Sequence, residues 1–230
     1  MVVQLKIGHG LMTTISLPRV DGYAAGPRRI DGLKDFIVHV WQMTSPTNMA
    51  MLSQLSFLGY DVELEMDHKY IIVVAEGDEA KTVHVISSET HKVINTLSCG
   101  LSLSFKDASM QYNDGLMLTA ELAGIKVVDV ATGQCLSWIR LATTRYDAMR
   151  FNSKYIVTIE KRTKTVVVFD LQSVLDPRKD IDKVILCTFQ WPVKEIRKIR
   201  LFQMDEFCLV GCGRSQSPGQ KAHLHLLDFF

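Results

Sequence analysis

Two histidines one residue apart, His223 and His225, follow two cysteines, Cys208 and Cys212, near the end of a 230-residue chain. Thiolate and imidazole are the ligands of tetrahedral zinc, at bond lengths of about 2.0–2.3 Å. The spacing argues against one shared ion. "EFCLVGCG" reads as a strand, so sulfurs four residues apart would stand about 13 Å from each other at about 3.3 Å per residue. Two acidic pairs, Glu63/Glu65 and Glu76/Asp78, have the spacing that puts both carboxylates on one strand face, which would suit general acid–base chemistry; we read them as solvated strand ends and turns. The run "VKEIRKIRLF" (193–202) carries Lys194, Arg197, Lys198 and Arg200. No aromatic residues interleave it for base stacking, and it reads as a basic face for an acidic partner, together with Arg28, Arg29 and Arg178. There is no Gly-x-Ser-x-Gly elbow, no His-Glu-x-x-His and no glycine-rich phosphate loop. We assign no catalytic, cofactor-binding or metal-binding residue.

The elements that would hold these side chains repeat. "IKVVDVATGQCLSWI" (125–139) writes strand, tight turn, strand. "TVHVISSETHKVINTL" (82–97), "TVVVFDLQSV" (165–174) and "FIVHVWQMTSPTNMAMLSQL" (36–55) have the same outline, and "AHLHLLDFF" (222–230) resembles its first half. Aligned on the end of the central strand, the copies place Gln42, Ser87, Asp129, Asp170 and Asp228 together, in steps of 45, 42, 41 and 58 residues. A second echo precedes the strand: "HKYIIVVAE" (68–76) against "SKYIVTIE" (153–160), each ending on an acid, Glu76 and Glu160. Short strands recurring at about 40–45 residues are the mark of a β-propeller.

The central strand carries the physical reason. Four positions before the alignment residue come Val38, Val83, Ile125, Val166 and Leu224; two before come Val40, Val85, Val127, Val168 and Leu226; one before come Trp41, Ile86, Val128, Phe169 and Leu227. A half-exposed strand alternates between apolar and polar. These strands do not, so both faces should be covered by neighbouring sheets. Only the position three before admits polarity (His39, His84, Lys126, Val167, His225), which we read as near-surface rather than as a histidine metal ring.

On these residues the chain resembles the WD40-repeat family of β-propellers. "IKVVDVATGQCL" (125–136) is similar to that family's central strand, turn and outer strand, with Asp129 at the aspartate position. "VVVFDLQS" (166–173) has Phe169-Asp170 where the family has Trp-Asp, and "VHVWQM" (38–43) keeps Trp41 but has Gln42 for the aspartate. No copy holds Trp-Asp intact or opens on Gly-His, so the family's buried His–Asp network is not carried over. The resemblance implies an all-β propeller with four to five recognisable blades, centred near 36–55, 70–97, 115–141, 153–189 and 205–230, in one domain. Residues 1–29 would be an irregular segment or outer strands. The ring would then be incomplete or truncated, closed by residues 2–7 pairing as the last blade's outer strand, or completed by a partner.

The bulk numbers fit this. Apolar residues make up 47% and charged residues 22%, with a formal net charge of +1, so nucleic acid is not an expected partner. No apolar stretch of about 18 residues predicts a membrane span, and no basic start with a long apolar block predicts a secretory signal. The five cysteines, an odd number in apolar runs, read as reduced, buried thiols, which places the chain in the cytoplasm or nucleus. The resemblance implies a non-enzymatic scaffold that binds other proteins or peptides, in one common context as the substrate-recognition module of an F-box-type ubiquitin ligase. The alternative is a propeller enzyme, a hydrolase or lyase with its site at the central channel. The innermost strands expected at 61–67, 102–108, 145–151 and 195–202 offer Glu63, Glu65, Lys106, Asp107, Arg145, Asp147 and Arg197 for either role. The residues assigned to partner binding are Lys106, Arg145, Asp147, Lys194, Arg197, Lys198 and Arg200.

Overall fold

The structure, a computed structural model, describes residues 2–8, 11–16, 34–45, 48–77, 80–99, 110–121, 124–140, 146–176, 178–179, 184–191, 196–204, 208–215 and 223–228. They form five antiparallel sheets, each built from strands consecutive in sequence. The first sheet contains β1 (Val2–Gly8), β2 (Leu11–Ser16), β3 (Lys34–Ser45) and β4 (Asn48–Gly59). The second contains β5 (Val62–Met66), β6 (Tyr70–Glu76), β7 (Lys81–Ser87) and β8 (Val93–Cys99). The third contains β9 (Met110–Asn113), β10 (Leu116–Glu121), β11 (Gly124–Asp129) and β12 (Cys135–Arg140). The fourth contains β13 (Tyr146–Phe151), β14 (Tyr155–Glu160), β15 (Thr165–Asp170) and β16 (Ile185–Gln190), with a one-turn helix α1 (Leu171–Leu175) between the last two. The fifth has three strands, β17 (Ile196–Met204), β18 (Cys208–Ser215) and β19 (His223–Asp228). Meandering four-stranded sheets that repeat along the chain are the blades of a β-propeller.

The chain divides into two compact units, Met1–Ser102 with Val130–Gly133, and Leu103–Asp129 with Gln134–Phe230. In the first unit one core cluster joins Phe36, Val38, Val40 and Phe57 of the first sheet to Val62, Leu64, Ile71, Val73, Ala75 and Ile86 of the second. In the second unit the fourth sheet feeds two clusters. Ile156 and Phe169 pack with Leu118, Ile125, Val127 and Ile139 of the third sheet. Val157, Ile159, Val166 and Val168 pack with Trp191 and the half-buried Met204 of β17. One sheet thus covers both its faces by contact with two neighbours, as the unbroken apolar strands require.

The repeat extends to backbone hydrogen bonds. Asp67 Oδ1 accepts from the amides of Lys69 (2.7 Å) and Tyr70 (2.9 Å), and Asn152 Oδ1 accepts from those of Lys154 (2.8 Å) and Tyr155 (2.7 Å). These are the same side-chain-capped turn, and they explain the Lys-Tyr-Ile echo that follows. Immediately after the alignment residue, Ser88 N donates to Lys69 O (3.0 Å) and Leu171 N to Lys154 O (2.8 Å). The alignment residues themselves serve as caps. Ser87 Oγ accepts from the amides of Glu89 and Thr90, and Asp170 Oδ2 from Ser173 N at 2.8 Å, which starts α1.

Four central strands break register with their edge strand at one equivalent place. Val40 pairs with Ser53 but Trp41 with Met51; Val85 with Asn95 but Ile86 with Val93; Val127 with Ser137 but Val128 with Cys135; Val168 with Cys187 but Phe169 with Ile185. The bulged-out residues are Leu52, Ile94, Leu136 and Leu186, large aliphatics all left 37–54% exposed. A bulge bends an edge strand and blunts its open ladder. Every four-stranded sheet here carries one on its last strand.

Several expectations are corrected. Residues 2–7 lie in β1, which pairs with β2 in the first sheet and not as an outer strand of the last; residues 11–16 likewise form its second strand. The third sheet opens at Met110, while 102–108 lie outside the described residues. "LQSV" is helical, because Asp170 caps it. Of the cysteines, Cys135 and Cys187 are exposed and Cys99 is half-buried, since all three sit on edge strands. Glu63 is not solvated: it is 5% exposed.

Thr158, on β14, is buried, and its Oγ1 has no hydrogen-bond partner among the described residues. An orphaned buried hydroxyl costs about 1–3 kcal/mol. Thr158→Val is therefore expected to raise stability by about 1 kcal/mol, read as a higher urea midpoint at constant slope. An unchanged or lower midpoint would mean that the hydroxyl is satisfied.

Candidate functional site

The residues singled out in the sequence fall on several elements, and some lie outside the described residues. Lys106, Arg145, Lys194, Arg28, Arg29 and Asp78 lie outside the described residues. Asp147 lies on β13, and Arg197, Lys198 and Arg200 on β17. Lys198 pairs with Arg214 and Arg200 with Cys212, while Arg197 sits in a register shift. Cys208 and Cys212 pair with Asp228 and Leu224, whereas His223 and His225 pair with Gly213 and Gly211. The cysteines and histidines thus take alternate positions of one ladder.

The acidic pair resolves into a buried ion network in the first unit. Lys81 Nζ lies 3.4 Å from Glu76 Oε2 and 3.9 Å from Glu63 Oε1, and Lys81 is only 6% exposed. The register explains the meeting: Glu76 pairs directly with Lys81 across the β6–β7 hairpin. Glu160, which ends β14 as Glu76 ends β6, instead caps the turn that follows it, accepting from the amides of Arg162 and Thr163. This triad is a core feature, with a lysine too enclosed to meet a partner.

Among the near-surface residues of the central strands, His84 packs on Phe57 with ring centroids 4.6 Å apart, and its Nδ1 lies 3.4 Å from Thr96 Oγ1. Burial disfavours its charged form and lowers its pKa below the ordinary 6.5. The unfolded chain then binds that proton more tightly, so stability is full above pH 6.5 and is lost as pH falls from 6.5 toward the lower folded value. We expect His84→Phe to flatten the pH dependence of the unfolding midpoint between pH 7 and 5 relative to wild type. Parallel curves for the two proteins would refute this.

The second unit holds an open cleft of about 210 Å3 where β12 meets Val174, Lys179 and Val184. Its lining residues are Ser137, Trp138, Ile139, Arg140, Val174, Lys179 and Val184. Strand pairing builds it. Trp138 stands opposite Lys126, and Arg140 opposite Gly124, so two alternate residues of β12 share a face. The Lys126 ammonium and the Arg140 guanidinium each lie 5.4 Å from the Trp138 ring centroid, within cation–π range. Lys179 Nζ donates to Ser173 Oγ at 2.7 Å, and Lys179 N to Asp176 O at 3.2 Å, which anchors the far wall. No carboxylate, thiol or imidazole is among the described lining residues. The cleft has both apolar and basic residues among those described around it. Its volume is below the about 300–1,000 Å3 of small-molecule sites, which suits a side chain better than a cofactor.

Sequence reasoning passed over this cleft. "SWIR" does place a tryptophan and an arginine on one strand face, and "DPRKDIDK" (176–183) stands out as a long loop. Nothing in the sequence says that the two meet.

Comparison with known proteins bears on the fold. No sequence family matches the chain, and no curated protein matches it. Solved structures do. The computationally designed Ika8 protein shares 15% identity and superposes with a TM-score of 0.56, over 98% of this chain and 71% of its own. The WD40 domain of Toxoplasma gondii coronin gives 0.51 at 8% identity, over 95% and 53%. A dihydro-haem d1 dehydrogenase, NirN, solved with its ligand DHE, gives 0.54 at 14% identity, over 95% and 50%. The chain spans about half the length of the last two. At such identities the likeness establishes architecture: a β-propeller of the WD40-like kind. It does not establish activity.

Proposed function

We infer that this chain is a non-enzymatic scaffold that binds other proteins or peptides, and that it serves as the substrate-recognition module of an F-box-type ubiquitin ligase in the cytoplasm or nucleus. One observation supports the scaffold reading above others. Among its described lining residues the cleft has groups that bind, a tryptophan with an arginine and a lysine, and none of the carboxylates, thiols or imidazoles of a general base or nucleophile. The ligase role rests on the WD40 likeness alone. Among the described residues no helix is long and apolar enough to cross a membrane.

Affinity capture with the tagged chain, followed by mass spectrometry, tests both parts. We expect reproducible protein partners and, for the ligase role, other ubiquitin-ligase subunits when the parent gene product is used as bait. Partners without ligase subunits would remove the finer claim. Turnover in a hydrolase and lyase screen, with no protein partner captured, would replace the scaffold by the enzyme reading.

A further inference from the structure

The first sheet departs from the other four-stranded sheets at one place. Its central strand, β3, runs on to Ser45, past the alignment residue Gln42, whereas β7, β11 and β15 end on theirs, Ser87, Asp129 and Asp170. β2 pairs with β3 up to Gln42, so the β3–β4 hairpin continues past it as a two-stranded ribbon. Near its tip Thr44 Oγ1 donates to Asn48 O at 3.1 Å. Three of the chain's ten methionines, Met43, Met49 and Met51, fall in this short stretch.

The register brings them to one face. Met51 pairs with Trp41, and Met49 with Met43. Directly opposite residues share a face, as do residues two apart on one strand, so these four positions are the corners of one patch, about 5 Å across the ladder and about 6.6 Å along it. It is the face turned from the second sheet, because the alternate positions of β3, Phe36, Val38 and Val40, are buried against that sheet. Met49 and Met51 are 45% and 53% exposed. Trp41 is half-buried, with the His39 ring beside it at 6.0 Å between centroids. In the second and fourth sheets the position of Trp41 is held by Ile86 and Phe169, both fully buried. The patch thus places three thioethers and an indole where the other sheets bury hydrocarbon. Thioether sulfur is a soft ligand that selects Cu(I), carried on an arm flexible enough to turn toward a common centre. An indole face within about 6 Å attracts a cation.

We propose that the thioethers of Met43, Met49 and Met51 bind one Cu(I) ion on this face of the β3–β4 hairpin, with the Trp41 indole against the ion's remaining side. The site goes beyond the scaffold reading and does not depend on it. Thioethers have no proton to lose on binding a metal, whereas thiols must. Affinity should therefore hold as pH falls from 8 to 7, which separates this site from one built on the chain's cysteines.

The test adds Cu(I) without oxygen to the whole chain, labelled with 13C at its methionine methyls and 15N at its indoles. Accessible thiols, Cys135 and Cys187 among them, are first blocked with N-ethylmaleimide, and affinity is read by competition with a chromogenic Cu(I) chelator. We expect saturation at one ion per chain. The methyl signals of Met43, Met49 and Met51 and the Trp41 indole N–H should shift together, while the buried Met110, Met117 and Met149 stay in place as internal controls. Zn2+, which prefers thiolate, imidazole and carboxylate, should leave the methionine methyls unmoved. Met49→Leu with Met51→Leu should weaken Cu(I) binding by more than about 10-fold, the least that even a supporting partner costs at a metal site. Leucine conserves the volume of methionine, so the variant keeps its fold, and unmoved signals from the three buried methionines check this. Trp41→Leu should cause a smaller loss, roughly 2–30-fold, the range of a cation–π contact. No Cu(I) held once the thiols are blocked, binding without shifts of Met49 and Met51, or binding that survives the double leucine change would each overturn the proposal.

Discussion

Gly124→Ala is expected to destabilise the second unit by about 4 kcal/mol and to lower its melting temperature by about 10 °C. Gly124 opens β11 with φ +149, and an added Cβ would sit 1.9 Å from Ile139 O and 2.9 Å from the Ile139 carbonyl carbon. Those atoms belong to the backbone of β12, paired with β11 along its length, so they cannot rotate away. Backbone strain contributes about 1–3 kcal/mol, and forced displacement in a packed sheet adds about 1–3 kcal/mol. Because Ile139 lies in the core of the second unit, the same change should also disturb the neighbouring Trp138. Gly133→Ala is the comparison. Its Cβ would meet the end of a flexible side chain, Leu97 Cδ2 at 2.7 Å, with φ +74, so its cost should be nearer 1 kcal/mol. Equal melting temperatures for the two alanine variants would mean that β12 does not approach Gly124 as described.

Lys81→Met is expected to cost about 3–5 kcal/mol, read from urea unfolding, because it removes the cation from a carboxylate that water reaches poorly. Lys81 and Glu63 side chains are each 7% exposed, whereas Glu76 is 39% exposed. The loss falls mainly on Glu63. Adding Glu63→Leu should recover most of the stability, since apolar pairs of similar volume replace buried ion pairs at little cost. Glu76 remains free to turn toward solvent in the double variant. A double variant no more stable than Lys81→Met would show that the ion network does not carry the effect.

The propeller was legible in the sequence because its physical cause is local and repeated. Val38, Val83, Ile125 and Val166 recur with apolar neighbours on both faces, and only sheets stacked on both sides satisfy such strands. The Lys-Tyr-Ile echo was legible too, since a capped turn is written by neighbouring residues, Asp67 in one copy and Asn152 in the other. What escaped reading depends on residues distant in sequence. The exposed Leu52, Ile94, Leu136 and Leu186 look like core aliphatics until the register shift beside each is known. Glu63 reads as a surface acid until the hairpin brings Lys81 to it. The helical turn at Leu171 was written in Asp170 and Ser173, but the strand-like run before them masked it. The cleft was least legible of all: the edge strand with Trp138 and the loop with Lys179 are some forty residues apart, and only the packing of two sheets joins them.

The central claim is that each block of the chain folds as its own antiparallel sheet, bulged at one repeated place. Backbone nuclear Overhauser contacts across the central and edge strands test it most directly. We predict that Val85 faces Asn95 while Ile86 faces Val93, and that Val168 faces Cys187 while Phe169 faces Ile185, with Ile94 and Leu186 skipped. Unbroken pairing through those residues, or contacts that join β7 to a strand of another block, would contradict the account.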